Sequence, residues 1–425
     1  DHDYRIGIDY AIAENHRLSL AYTGQWNSTH STNTTTGTAQ SVQNSRQHTY
    51  LHNVDASYEA PFGLQLGVSY TNYQEPRTQN LDGSLNEMSR NLYVDSRQKV
   101  GKWLFTADQT HSLPKGWELN YGGKAQFSNN NSYQTTLDAQ HQPLPDATSH
   151  VDYDERIVNA YVGLSKQLGE SLSLDASVTA EQYHATKWNE WRVYPQFNVM
   201  WNINTKNMLN LSFSSEAVYP SYWSTMSSIY YASAYSEIWG NPDLKPMSEY
   251  DINLMWQLNR KYTFTAFAML EPDYFVQMAY QPSDRMAVIM KETNFDYSNY
   301  FGLQASAQFR IGSWLNGNIN ATALYRHDKT QFFDLPIDRT SLAGILSGMA
   351  VVKFSQQHNI QLILNPFFQT KAIQGVYDID PFLRLNATLR YTTKNGKWSL
   401  VAKGENILNA HIDTRSTIAN QDYSM

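Results

Sequence analysis

Apolar and polar residues alternate along almost the whole chain. From Arg17, the positions Arg17, Ser19, Thr23, Gln25 and Asn27 are polar while Leu18, Leu20, Tyr22 and Trp26 are apolar. A period of two predicts a strand with different surroundings on its two faces. The rhythm recurs at Leu64, Leu66, Val68 and Tyr70, at Leu172, Leu174, Ala176, Val178 and Ala180, at Leu315, Ile319, Ala321, Ala323 and Tyr325, and at Leu383, Leu385, Ala387, Leu389 and Tyr391. In the last two segments Asn316, Asn318 and Asn320, and Arg384, Asn386 and Arg390, fall between the apolar positions. No segment repeats at 3.6 residues, so no amphipathic helix is predicted.

The connections alternate too. Tight joints are expected near Glu14-Asn15, Pro61-Phe62-Gly63, Pro114-Lys115-Gly116, Leu168-Gly169-Glu170, Asn204 to Asn207, Asn259-Arg260, Gly312-Ser313, Gln356 to Asn359 and Lys394-Asn395-Gly396, each with the Gly, Pro or Asn a hairpin requires. Longer polar excursions separate them: Ser28 to Arg46, Gln74 to Glu87, Asn129 to His150, Val218 to Met247 and His327 to Asp338. Nine tight turns imply about eighteen strands in an up-and-down meander. A soluble sandwich or propeller would hide the apolar face in a core, whereas a transmembrane barrel turns it to lipid around a polar lumen. The barrel is favoured by strict alternation of short and long connections and by the absence of a recurring 40- to 50-residue motif. Aromatic residues also gather at strand ends: Tyr22, Trp26, Trp103, Phe105, Trp117, Tyr121, Trp201, Trp256, Tyr325, Tyr391 and Trp398.

Composition sharpens the choice. The chain has 425 residues, 41% hydrophobic but only 17% charged, and its mean hydropathy is nevertheless polar, at -0.54. Uncharged Asn, Ser, Thr, Gln and Tyr supply that polarity, as a water-lined wall requires. Zero cysteines exclude a disulfide framework, a thiolate metal site and a cysteine nucleophile. A net charge of -7 leaves no basic footprint for nucleic acid. No apolar run approaches the ~20 residues of a spanning helix. Asp1 opens directly into the alternation with no signal peptide, which reads as a mature fragment whose beginning lies elsewhere.

One segment narrows the reading. Asn241-Pro242 and Asp243 set a turn, Pro246 stops any local helix, and alternation resumes at Tyr250, Ile252, Leu254 and Trp256. The run Gly240-Asn241-Pro242-Asp243-Leu244-Lys245-Pro246 resembles the Gly-Asn-Pro-x-Leu-Lys-Pro signature of TonB-dependent outer-membrane receptors, found where a long surface loop re-enters the barrel wall. Tyr194 to Val199, Leu209 to Ser214 and Val218 to Trp223 look like successive blocks of the Bacteroidetes-type outer-membrane β-barrel family, and Gly404 to Ala410 resembles the block of its penultimate strand. The likeness is good from about Arg192 to Ile412 and weaker before. Met247 departs from the acidic residue that often follows the signature. The resemblance implies an all-β, antiparallel transmembrane barrel of twenty-two strands with short periplasmic turns and long extracellular loops, of which residues 1–425 would supply about eighteen. Three strands would be missing at the start and one at the end, together with the plug and its energy-coupling segment. Such an incomplete wall is not expected to be a stable pore alone, because its open edges would face lipid.

Candidate sites follow. Tyr219, Tyr222, Trp223, Tyr230, Tyr231, Tyr235 and Trp239 crowd one excursion. These rings are suited to stacking on flat ligand faces above the lumen; the blander reading, which we prefer here, is a folded loop with its own small core. Trp188, Glu190, Trp191 and Arg192 read as another strand tip. Arg17, Asp175, Glu181, Arg326, Arg384 and Arg390 would face the lumen, attracting an ionic solute or simply solvating the wall. Asp378 and Asp380, with Asp334 and Asp338, are a weak calcium candidate. The histidines lack zinc spacing, and no Gly-x-Ser-x-Gly elbow or phosphate loop is present, so an enzyme is not expected and no cofactor is implied. The leading expectation is a transport or receptor barrel for a glycan, peptide or metal chelate. Its partners would be the lipid bilayer, TonB and a plug, and a surface lipoprotein. The rivals are a non-transporting scaffold barrel and a soluble β-rich glycan-binding protein.

Overall fold

A computed structural model describes residues 2–37, 39–85, 88–185, 188–225, 229–233, 235–284, 287–333, 335–355, 359–393, 395–416 and 423–424. Eighteen strands form one antiparallel sheet in which each strand pairs with its neighbours in sequence. In chain order they are β1 (His2–Ala13), β2 (His16–Thr35), β3 (Ala39–Glu59), β4 (Leu64–Leu85), β5 (Met88–Leu113), β6 (Trp117–Leu137), β7 (Ser149–Leu168), β8 (Leu172–Ala185), β9 (Trp188–Asn204), β10 (Asn207–Val218), β11 (Met247–Leu258), β12 (Tyr262–Pro272), β13 (Tyr297–Ile311), β14 (Leu315–Phe332), β15 (Leu335–Ser355), β16 (Ile360–Gln369), β17 (Phe382–Thr392) and β18 (Ser399–Gly404). Among the described residues, β1 and β18 are not paired with each other. Of the nine expected tight turns, Gln356 to Asn359 and Lys394-Asn395-Gly396 lie partly outside the described residues; the other seven lie between consecutive strands, at one end of the sheet. Asn15 (φ 60°) and Gly312 (φ 55°) take left-handed backbone there, which only Gly and, at small cost, Asn adopt readily.

The alternation becomes a two-faced wall. Leu18, Leu20 and Trp26 on β2, Trp103 and Phe105 on β5, Leu254 and Trp256 on β11, and Leu303 on β13 are all exposed on the outer face. The register carries this face unbroken across the sheet, pairing Leu254 with Ala266, Ala266 with Leu303 and Leu303 with Ala323. A soluble protein rarely exposes so continuous an apolar surface, so the soluble reading is corrected here: this face is built for lipid. The opposite face carries Arg17, Asp175, Glu181, Arg326, Arg384 and Arg390. At Gly302, on the inner face, the Phe267 ring lies where a side chain would sit, 2.1 Å from the Cβ position.

Three expected loops are strands instead. Ser28 to Arg46, Gln74 to Glu87 and His327 to Asp338 are mostly paired hairpin, with β2 running to Thr35 and β3 starting at Ala39, β4 and β5 separated by residues 86–87, and β14 reaching Phe332. Asn129 to His150 is likewise strand up to Leu137. The 26 residues of β5 far exceed the ~10 that cross a bilayer. Above the lipid neither face need be apolar, so the hydrophobic alternation disappears while the backbone ladder continues.

Buried residues collect at the long end of the wall, on its inner face. Leu81, Leu92, Val94 and Ala147 pack with Tyr231; Ile157, Tyr183 and Ala185 form a second cluster; and Met278, Phe295, Phe332, Ile337 and Val376 form a third. Each joins wall strands to segments that fold over the lumen.

Candidate functional site

The covering segments are built from two long excursions, with a shorter hairpin of Ala372–Gln374 and Tyr377–Ile379 beside them. Residues 219–246 contribute Ile229–Tyr231 and Ser236–Trp239, and residues 273–296 contribute Phe275–Tyr280 and Val288–Asn294. Together they make a small four-stranded sheet in which Ser236–Trp239 runs parallel to Val288–Lys291. Its backbone is held by side-chain amides rising from distant wall strands: Gln79 donates to Tyr231 O at 2.5 Å, Gln134 to Ile229 O at 2.6 Å, and Gln43 to the Tyr230 hydroxyl at 2.8 Å. These amides sit on the inner face, and each adds a hydrogen bond from the wall to the cover.

The seven candidate rings divide by use. Tyr219 and Tyr222 donate their hydroxyls to Glu181 and Glu155, the second at 2.8 Å, and Tyr219 lies 4.5 Å from the Tyr183 ring. Tyr231 is enclosed in its cluster, with the Arg90 guanidinium 4.8 Å above its ring. Tyr235 contributes its carbonyl to Val288 N at 2.7 Å. Trp239 donates to Glu237 at 2.9 Å and meets Phe333 edge-on, apart from the others. Trp223 alone of the seven is exposed, at 41%; it meets Tyr230 edge-on, and Arg77 lies 5.4 Å from the Trp223 ring and 5.7 Å from that of Tyr230.

Burial pushes the Tyr219 and Tyr222 hydroxyls well above their usual range, and Glu181 and Glu155 beside them add to the rise. Free tyrosine ionises near pH 10. Below that both the docked and the released loop keep their protons and docking is complete; above it only the released loop ionises, so docking weakens as pH rises. Limited proteolysis of residues 219–246 should therefore be flat from pH 7 to 9 and climb above about pH 10. A climb between pH 7 and 9 would contradict this pairing.

Arg90 also reaches Glu237, whose side chain is nearly fully buried, at 3.1 Å. Replacing Arg90 with Ala removes an ion-pair partner and a cation over a ring, a loss of about 2 kcal/mol. Amide exchange of residues 229–239 should then accelerate about 30-fold while the wall strands keep their protection.

The signature segment is a staple. Asn241 N donates to Ser224 O at 2.6 Å and its side chain to Glu292 O at 2.9 Å, while Asn241 Oδ1 accepts from Asp243 N at 3.1 Å to make the turn. Lys245 N donates to Asn294 Oδ1 at 2.8 Å. Leu244 and Pro246 are buried, and their carbonyls accept from Trp188 Nε1 and Arg192 Nη2 at 3.2 and 3.3 Å. Thus Trp188, Glu190 and Arg192 clamp the segment to the wall, whereas Trp191 is exposed. Gly240 and Pro242 complete the turn.

The charged candidates are mostly met by partners. Arg17 pairs with Asp9 at 3.0 Å, Arg326 with Asp328 at 2.7 Å, and Arg384 lies 5.7 Å from the Phe367 ring. The calcium reading is not supported: Asp378 is bound by Arg339 at 2.7 Å, Asp380 is 3.5 Å from Arg415, Asp338 is bonded to His327, and Asp334 lies outside the described residues. No group of three or more His, Asp or Glu positioned for a metal occurs among the described residues. Sequence reasoning missed Arg77, Arg90, Glu155 and the three glutamines. They lie in polar segments with no distinguishing pattern, and only the distant pairing brings them to the mouth.

Comparison with characterised proteins by sequence finds no match. Among solved structures, the siderophore receptor PirA from Pseudomonas aeruginosa aligns over 95% of this chain and 76% of its own, at 9% identity and TM-score 0.51. The FrpB iron transporter from Neisseria meningitidis aligns over 96% and 76%, at 10% identity and TM-score 0.50. FpvA of P. aeruginosa, bound to a heterologous pyoverdine, aligns over 100% and 68%, at 12% identity and TM-score 0.57. Likeness at these identities is a likeness of fold. The model of the outer membrane protein beta-barrel family matches residues 63–425. That match, on a wall whose outer face is apolar from strand to strand, places the protein in the bacterial outer membrane: the chain belongs to the outer membrane protein beta-barrel family.

Proposed function

We propose that the chain forms the wall of a TonB-dependent uptake receptor and has no enzymatic role. The observation that carries this is the mouth: a polar inner face runs up from the periplasmic turns and meets extracellular segments that fold inward over the lumen, held by Gln43, Gln79 and Gln134. A cover of that kind suits capture and gated release rather than free diffusion. The resemblance of residues 240–246 to the TonB-dependent signature and the likeness of fold to siderophore receptors and an iron transporter support it. In this reading a plug fills the lumen and TonB moves it; a surface lipoprotein is a further partner. Solute contacts first the exposed Trp223, flanked by Tyr230 and Arg77, while Tyr219, Tyr222, Tyr231, Tyr235 and Trp239 shape the cover beneath it.

The test is uptake by the intact protein in its own membrane. A deletion strain is screened on defined glycans, peptides and iron chelates, and the deficient condition is repeated with Trp223→Ala. Loss of growth on one class, restored by the native gene and weakened at least several-fold by Trp223→Ala, is the expected result. Unchanged growth and uptake across all classes would overturn transport in favour of a scaffold.

A further inference from the structure

The outer face carries a hollow that transport does not use. It lies on the lipid side of β4–β8, with a volume of about 740 Å³, and its lining includes Tyr70, Trp103, Phe127, Lys99, Arg156 and His184. The ladder places four of these in one row, pairing Trp103 with Phe127, Phe127 with Arg156, and Arg156 with His184. The Tyr70 and Trp103 rings meet at a tilt of 38°, their centroids 4.6 Å apart, to form the floor. Gly101, two residues above Trp103 on the same face, leaves the space open towards Lys99; a Cβ there would have only the Tyr70 hydroxyl near, at 3.8 Å.

The height of this row identifies its surroundings. At the periplasmic end Lys166 lies 4.6 Å over the ring of Trp117. Phe127 and Arg156 are each ten residues further up their strands. At ~3.3 Å per residue and a barrel tilt, ten residues rise about 25 Å, the height of the apolar band. Tyr70, Trp103 and Phe127 therefore sit where the acyl chains end, and Lys99, Arg156 and His184 where the headgroups begin.

The charge of the hollow is available. Lys99, Arg156 and His184 are exposed, and none has an ion pair among the described residues. The acid in the lining that faces outward with them, Asp154, is bound by Asn129 at 2.7 Å. Two permanent cations and an imidazole above an aromatic floor match an anion attached to an acyl chain, and a guanidinium is suited to bind phosphate through two donors at once.

We propose that this hollow binds the phosphorylated headgroup of a lipid in the surrounding outer leaflet, with its acyl chains lying down over Trp103 and Phe127. The protein would thereby carry a fixed lipid on one side of its wall.

The experiment uses the full chain in phosphatidylcholine nanodiscs. Bisphosphorylated lipid A, its dephosphorylated form and inorganic phosphate are added separately, and retention is read by native mass spectrometry. Retention of the phosphorylated lipid at least tenfold above the dephosphorylated one is expected. Lys99→Gln with Arg156→Gln should abolish that preference, and Gly101→Trp, which fills the hollow and keeps both charges, should abolish retention. Heat-modified gel mobility reports whether each variant is folded. Equal retention of the two lipids, no change in folded variants, or saturation by inorganic phosphate alone would each overturn the lipid site.

Discussion

Replacing Asp328 with Ala should cost on the order of 3–5 kcal/mol and free the covering hairpin at residues 372–379. Asp328 is fully buried. It accepts from Arg326 Nε at 2.7 Å, Ser298 Oγ at 2.8 Å and Gly375 N at 2.9 Å, so one carboxylate neutralises a buried guanidinium and ties two wall strands to the cover. Arg326 stays sandwiched near the Tyr300 ring, 4.8 Å away, with its countercharge gone. Breaking one side of a buried pair is far more damaging than removing both partners. Arg326→Met with Asp328→Leu should therefore recover most of the loss in global stability. It should not recover the hairpin, since Gly375 still lacks its acceptor. Urea unfolding in detergent, followed by tryptophan fluorescence, reads the first quantity and amide exchange of residues 372–379 the second. A single substitution as stable as the parent would show that water compensates Arg326.

A charge on the opposite face should be comparably costly for a different reason. Leu254 is exposed and five residues above the Asn259 turn, in the middle of the apolar band between Trp256 and Ile252. Leu254→Arg asks the bilayer to solvate a guanidinium near its midplane, at about 2–4 kcal/mol. The effect depends on depth. Arginine at Trp398, exposed beside a periplasmic turn, should cost about 1 kcal/mol or less. Refolding yields into bilayers of defined thickness separate the two positions. Equal yields would mean that residue 254 does not face hydrocarbon.

The wall was legible because two solvents write a period of two into it, and the turns because left-handed backbone selects residues such as Asn15, Gly169 and Gly312. The cover was not. Above the lipid Gln43 and Gln79 look like any polar strand residue, and their value comes from Tyr230 and Tyr231, far away in sequence. The parallel pairing of Ser236–Trp239 with Val288–Lys291 links two separate excursions and leaves no local trace. The signature at residues 240–246 announced a turn, but its staple depends on Ser224, Glu292 and Asn294. Local chemistry could be read from the chain; contacts made by a folded-in loop could not.

The raised hairpins constrain how this protein can vary. In β3, β4 and β5, Gln43, Gln79, Leu81 and Leu92 must point inward to hold the cover, and a pleat gives each residue only two directions. Lengthening such a hairpin by one residue in one strand would swing every side chain beyond it outward and unseat the segment below. Growth by two residues in each strand preserves every direction. Natural variation in the height of these hairpins should thus come in steps of four residues, a spacing set by backbone geometry rather than by what the receptor captures.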